Sequence, residues 1–326
     1  MTKGSQYMSS FSDSLSGYIE LRTALGYSER TYKPRALNFD RFCAERFPDT
    51  TRLTEELATS WIIHGNPSTV VMGDRCSFIR LFGEYLRNAG QDAYIFPEEF
   101  YPRHSREYIP YIFSSDEMKS FLHEVDAYEC KEDPFIPILL SVYFRLAYTC
   151  GLRPGETRAI MRDDVNLVSG EILIKNTKNR KDRYVVASDA MRELLASYCF
   201  IRDAFYAESR YLFPSASGDC YRSGWFQRYY KKFFSDIHPE IPAEELPAVR
   251  VYDLRHMFAS NVIHKWVDSK EDLSNRLPFL QTYMGHSSLA ETAYYVHLIP
   301  ERLSSSEGID WESLNAVIPE VRYEER

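Results

Sequence analysis

Residues 165–188 read VNLVSGEILIKNTKNRKDRYVVAS, and this stretch decides the fold class. Val165 to Leu167, Gly170 to Asn176 and Arg183 to Ser188 are short runs rich in β-branched residues. Ser169-Gly170 and a polar turn of Lys, Asn, Arg and Asp separate them, the pattern of a small antiparallel sheet. Outward from it in both directions the period changes to three and four. Phe78, Leu81, Phe82, Tyr85 and Leu86 repeat at helical spacing upstream, and Met191 to Phe205, Trp225 to Phe234 and Leu254 to Val267 do so downstream. The fold expected is therefore mainly α with one small antiparallel β-sheet.

From Ser10 to about Gly90 four short helices fit, with breaks near Gly26, around Pro48 to Thr54 and at Gly65-Asn66-Pro67. Residues 96–115 (FPEEFYPRHSREYIPYIFSS) carry three prolines and mixed charge, which suits an extended connection. The expected organisation is a helical domain over 1–95, a linker over 96–114 and a second domain over 115–326. In that domain Ser115-Asp116-Glu117 starts a helix, and Asp133-Pro134 opens another that stops at Gly151.

Composition narrows the class. With 44% apolar and 26% charged residues in 326, the chain is an ordinary globular protein of about two domains rather than a fibrous or disordered one. The longest uncharged apolar run, Phe135 to Phe144, is about half of the roughly 20 residues a membrane span needs. The N-terminal residues lack an apolar h-region, so the expectation is a cytoplasmic protein with no membrane association. Six scattered cysteines form no C-x-x-C pair, so neither a zinc site nor a disulfide framework is expected, and no cofactor is assigned. The net charge of −8 argues against nucleic acid at first sight. It hides a segregation: residues 171–235 hold 12 Lys+Arg against 7 Asp+Glu, whereas 301–326 hold 3 against 7. A basic face on an acidic protein remains compatible with DNA.

Four segments carry candidate chemistry. Arg153, in Gly151-Leu152-Arg153-Pro154-Gly155-Glu156, sits where one helix ends and the next begins, and a guanidinium there suits bidentate phosphate recognition. Glu156 is placed to orient it; a purely structural Arg–Glu pair is the alternative. Lys178 lies in the turn between two expected strands, where a hairpin tip projects into a groove. Arg255 follows Tyr252-Asp253-Leu254, and Leu254, Phe258 and Val262 at four-residue spacing are expected to pack inward and hold the arginine at the surface. His286 follows Gly285, and Tyr295 stands nine residues further on beside Tyr294.

In the order Arg, Lys, Arg, Gly-His, Tyr these segments resemble the tyrosine recombinase (phage integrase) family over nearly the whole chain. The resemblance implies a helical, SAM-like core-binding domain over 10–95 and a catalytic domain over 110–300. It implies phosphate-binding roles for Arg153 and Arg255, the strand-turn lysine at Lys178, the Gly-His box at His286 and the nucleophile at Tyr295. Tyr294 is the neighbouring candidate, turned roughly 100° around a helix. Two departures stand out. Tyr252 occupies the place of the family's usual His; a phenol, with reference pKa near 10, hydrogen-bonds a phosphate but is a poor proton acceptor at pH 7. The 31 residues from Arg255 to His286 are long for the family, with 264–278 read as an inserted loop.

The resemblance further implies cleavage through a 3′-phosphotyrosyl link, double-stranded DNA with specific recombination sites as partner, a homo-tetramer on synapsed DNA, and no metal. A tail helix at Trp311 to Val317 is expected either to exchange between neighbours or to pack on its own domain. Two other functions stay open: a type IB topoisomerase-like enzyme, and a non-catalytic DNA-binding partner whose active site has drifted. Within recombinases, Tyr252 and the long spacing favour a mobile-element integrase.

Overall fold

The computed structural model describes residues 7–27, 29–100, 108–175 and 181–297. The chain divides into two compact units, one ending at Tyr108 and the other beginning at Ile109.

The first unit is four helices, α1 (Ser12–Ala24), α2 (Glu29–Arg46), α3 (Glu55–Ile63) and α4 (Thr69–Asn88). Side-chain caps start two of them: Thr54 accepts from the Leu57 amide and Ser68 from the Val71 amide. Two of the three breaks lie where glycine reaches positive φ, at Gly26 (76°) and Gly65 (73°), and the break between α2 and α3 falls at Phe47-Pro48. The core is aromatic. Phe39 meets Trp61 at 5.1 Å and Phe78 at 6.0 Å, and Tyr18 meets Phe82 at 5.5 Å, with all five rings buried. Such edge-on pairs add about 0.5–1.5 kcal/mol each beyond their buried area. Asp40, itself buried, accepts from the Met8 and Ser9 amides (2.8 Å each) and from Ser9 Oγ (2.6 Å), which pins the entry to α1.

The stretch read as a linker is anchored at both ends: Phe96 is buried in the first core and Phe113 in the second. Ser114 then caps α5 (Ser115–Ala127) in a reciprocal capping box with Glu117.

The second unit continues with α6 (Phe135–Thr149) and the short α7 (Pro154–Arg158). Strands β1 (Glu171–Ile174) and β2 (Arg183–Val186) follow, then α8 (Asp189–Phe205), α9 (Ser223–Asp236), α10 (Asp253–Asp268), α11 (Leu273–Met284) and α12 (Leu289–His297). The strands pair antiparallel with Ile172 opposite Val185 and Ile174 opposite Arg183. The run at 165–167 joins the sheet only through an isolated bridge from Val165 to Ile172. Ile172, Ile174 and Val185 are buried while Tyr184 and Val186 are exposed, so period two puts Arg183 on the inward face with Val185.

One core spans α5, α6, α8, α9 and the sheet, with Tyr143 stacked on Phe226 at 3.5 Å between ring centroids. A smaller cluster joins α10, α11 and α12 through Ala259, Ile263, Leu277, Leu280, Met284 and Tyr295. The stretch 264–278, read as an inserted loop, is mostly helical: α10 runs to Asp268, α11 begins at Leu273, and Asp272 caps it. Leu273 and Leu277 are buried in the smaller cluster, so this segment packs as helix instead of looping out. The tail segment 311–317 and Lys178 lie outside the described residues.

Candidate active site

Four of the residues singled out by sequence, Arg153, Tyr252, His286 and Tyr295, line one open cleft of about 440 Å³ together with His256, Ser287, Glu291 and Tyr294. Their positions follow from how helices end. Helix α6 stops at Gly151 in the left-handed region (φ 59°), and two residues later Arg153 precedes Pro154, the first residue of α7. A side chain at 151 is excluded on space as well, since a Cβ there would sit 2.3 Å from Phe258 Cδ1. At the other end of the site α11 closes on Gly285 (φ 65°), which delivers His286 into the cleft.

The Arg153 fork is fixed on both sides. Its Nη1 donates to Glu156 Oε1 (2.8 Å) and its Nη2 to the Gly285 carbonyl (3.0 Å). Burial opposes its charge, but Glu156 and then Tyr252 outweigh burial and hold its pKa above the ordinary value. Glu156 is shared. Arg183 reaches it from β2 with Nη1 on Oε1 (3.1 Å) and Nη2 on Oε2 (2.8 Å), while Arg183 Nε donates to the Tyr283 carbonyl (2.8 Å). Burial raises the Glu156 pKa, but the hydrogen bonds and charges of Arg183 and then Arg153 prevail and hold it at about 2.

Arg255 departs from expectation: it is fully buried rather than at the surface. The buried row on α10 is Arg255, Ala259 and Ile263, one residue round from the Leu254, Phe258, Val262 row that the spacing suggested. Its Nη1 donates to the Gly151 carbonyl (2.8 Å) and its Nη2 to the Met284 carbonyl (2.7 Å), joining the ends of α6 and α11. Among the described residues no carboxylate pairs with it, and Nε has no hydrogen-bond partner. Burial, and then the like charge of Arg153, push its pKa down. An isolated buried cation is costly, so the site favours an anion beside it.

Tyr295 on α12 is buried in the smaller core with its ring 5.8 Å from that of His286 and 5.4 Å from that of His256. Burial pushes its pKa up to about 12, with the Arg255 charge working the other way. Tyr294 lies 5.9 Å away, ring to ring. His286 Nδ1 is 2.7 Å from Thr292 Oγ1, and burial followed by the charge of Arg255 lowers its pKa to about 3.

Sequence reasoning left out Arg183, His256 and Thr292. Arg183 was marked only by its place two residues from the buried Val185, the period of an inward strand face. His256 stands four residues after Tyr252, hence on the same helix face, which the focus on Arg255 passed over. Nothing local marked Thr292.

A guanidinium fork at a helix junction, a second guanidinium buried behind it, neutral imidazoles and a sequestered phenol together form a site built to hold an anion against a hydroxyl nucleophile. The class is that of enzymes acting on phosphodiesters through tyrosine. Residues 112–302 match the phage integrase family, and the chain belongs to that family, the tyrosine recombinases. It is 28% identical over 307 residues to a putative integrase/recombinase of Sinorhizobium fredii, y4rB, covering 92% of this chain and 96% of that one. It is 31% identical over 167 residues to the tyrosine recombinase XerD of Bradyrhizobium diazoefficiens, covering 48% of each. Among solved structures, the XerH site-specific recombinase bound to palindromic difH superposes with a TM-score of 0.61 at 21% identity, over 92% of this chain and 84% of that one. The Tn1549 transposon integrase in complex with transposon right-end DNA gives 0.60 at 13% identity, over 90% and 99%. Both share the fold.

Among the described residues no helix is long and apolar enough to cross a membrane.

Proposed function

We propose that this chain is a site-specific recombinase of a mobile element that breaks and rejoins double-stranded DNA through a 3′-phosphotyrosyl intermediate. The observation that carries the reading is the Arg255 guanidinium, buried with no carboxylate paired to it among the described residues and adjacent to Tyr295 and Arg153. A scissile phosphate supplies the anion this cluster lacks.

In this reading Tyr295 Oη attacks phosphorus, forming a P–O bond and releasing a 5′-hydroxyl, so the bond energy is kept for religation. Arg153 and Arg255 stabilise charge developing on the non-bridging oxygens, and His286, neutral at pH 7 and oriented by Thr292, adds a hydrogen bond. Tyr252, beside Arg153, contacts the same phosphate. Lys178, in the sequence between β1 and β2, protonates the departing 5′-oxygen. The first unit acts as the core-binding domain, and four protomers assemble on two sites.

A nicked suicide duplex, enriched from a randomised pool on the protein itself, tests the reading. A covalent protein–DNA adduct is expected, and strand exchange between two duplexes. Binding without an adduct makes the chain an inert DNA-binding partner, and an adduct with supercoil relaxation but no exchange makes it topoisomerase-like.

A further inference from the structure

One half-buried imidazole in the cleft has no part in that scheme. His256 directly follows Arg255 and lies one helical turn beyond Tyr252 on α10. Its ring is 5.0 Å from that of Tyr252 and 5.4 Å from that of Tyr295, so it is in ring contact with both phenols. Its Nδ1 is shielded from solvent and has no hydrogen-bond partner among the described residues. A buried polar nitrogen left unsatisfied costs stability, and such a group in a cleft is retained for a use. The other imidazole differs. His286 Nδ1 is already engaged by Thr292 at 2.7 Å.

We propose that His256 is a catalytic residue that accepts the hydroxyl proton of Tyr295, so that the imidazole missing at position 252 is supplied from the next turn of the same helix. The inference rests on Tyr295 being the nucleophile. The proton passes from Tyr295 Oη to an imidazole nitrogen as the Oη–phosphorus bond forms and the bond from phosphorus to the 5′-oxygen breaks. That oxygen leaves with a proton from the general acid. In religation the 5′-hydroxyl yields its proton to the general acid's conjugate base as it attacks phosphorus, the Oη–phosphorus bond breaks, and His256 returns its proton to the departing phenolate. Burial, and then the neighbouring Arg255 charge, keep His256 neutral at pH 7, the form with a free lone pair. A phosphate between the two arginines offsets that charge and makes the imidazole a better acceptor as the reaction begins.

The test is the rate of covalent adduct formation on the nicked suicide duplex bearing sulfur at the 5′-bridging position, which leaves without a proton and removes the general acid from the measurement. His256→Gln keeps a polar side chain of similar reach but is not basic; it is expected to lower the rate about 100-fold or more while DNA affinity and melting temperature stay at wild-type values. His256→Ala is expected to show the same loss, with tens of millimolar imidazole restoring at least tenfold. A His256→Gln rate within threefold of wild type overturns the proposal. So does a folded, DNA-binding His256→Ala protein that imidazole does not rescue, since the ring is then a packing element. Tyr295→Phe in parallel separates the two readings: an adduct formed by that variant brings down the nucleophile assignment and this inference with it, whereas no adduct there combined with a fast His256→Gln removes only the role of His256.

Discussion

Replacing Arg183 with Met tests whether the strand-borne arginine holds the cleft together. Arg183 and Glu156 have side-chain exposures of 9% and 6%, so solvent screens their pairing little. The Glu156 pKa, at about 2 against an ordinary 4.5, stands roughly 2.5 pH units low; at about 1.36 kcal/mol per unit that is about 3 kcal/mol net, left after its two arginines have overcome the cost of burial. Met at 183 fills the space of the stem but leaves the buried carboxylate to Arg153 alone and the Tyr283 carbonyl without its donor. Breaking one side of a buried pair costs about 3–5 kcal/mol, and because Arg153 remains, the expected loss is about 2–3 kcal/mol. For a unit of this size that lowers the melting temperature by roughly 4–12 °C.

The pH dependence has a definite sign. The folded pKa of Glu156 is depressed, so its contribution is complete above the unfolded value of 4.5 and is lost as pH falls toward about 2. Urea unfolding of wild type and variant should therefore differ by the full amount at pH 7, and the gap should narrow between pH 4.5 and 2 to what the lost Tyr283 contact leaves. Adduct formation should fall about tenfold as well, because Glu156, which frames one side of the Arg153 fork, loses the partner that holds it from β2. An Arg183→Met protein that melts with wild type at pH 7 and forms adduct at the normal rate would refute this account of the site.

Three further outcomes are expected. Gly151→Ala, which needs a positive φ and puts a Cβ 2.3 Å from Phe258, should destabilise the second unit by about 1–3 kcal/mol on a thermal melt and slow cleavage, since the 151 carbonyl anchors Arg255. Tyr252→Phe should lower adduct formation about tenfold, the equivalent of one hydrogen bond at roughly 1.4 kcal/mol, and Tyr252→His should retain or raise it; a fully active Tyr252→Phe makes the ring a packing element. Lys178→Ala should be rescued by sulfur at the 5′-bridging position, and equal defects on oxygen and sulfur substrates remove the lysine from the general-acid role.

The elements legible in the sequence are those written in local spacing. The stop of α6 at Gly151, the helix start at Ser115-Asp116-Glu117 and the small antiparallel sheet either side of a polar turn all follow from short local patterns. The cleft likewise gathers Arg153, Tyr252, His286 and Tyr295, which order and spacing had singled out. What spacing did not convey was set by contacts between distant segments. Arg255 is buried because carbonyls 104 residues upstream and 29 downstream converge on it, and an amphipathic pattern on α10 has no term for polar atoms arriving from elsewhere. Arg183 was hidden in a run of charges that reads as a solvated turn, although its alternation with Val185 aims it inward. The 264–278 segment was read as an inserted loop from the long spacing between Arg255 and His286, yet Leu273 and Leu277 are buried and dock α11.

The central claim is tested most directly by isolating the adduct from the suicide duplex, digesting it, and identifying by mass spectrometry the residue that carries the 3′-phosphonucleotide. The account predicts the modification on Tyr295 and no adduct from Tyr295→Phe, with DNA binding nearly unchanged. Modification of Tyr294, or an adduct that survives Tyr295→Phe, would contradict it.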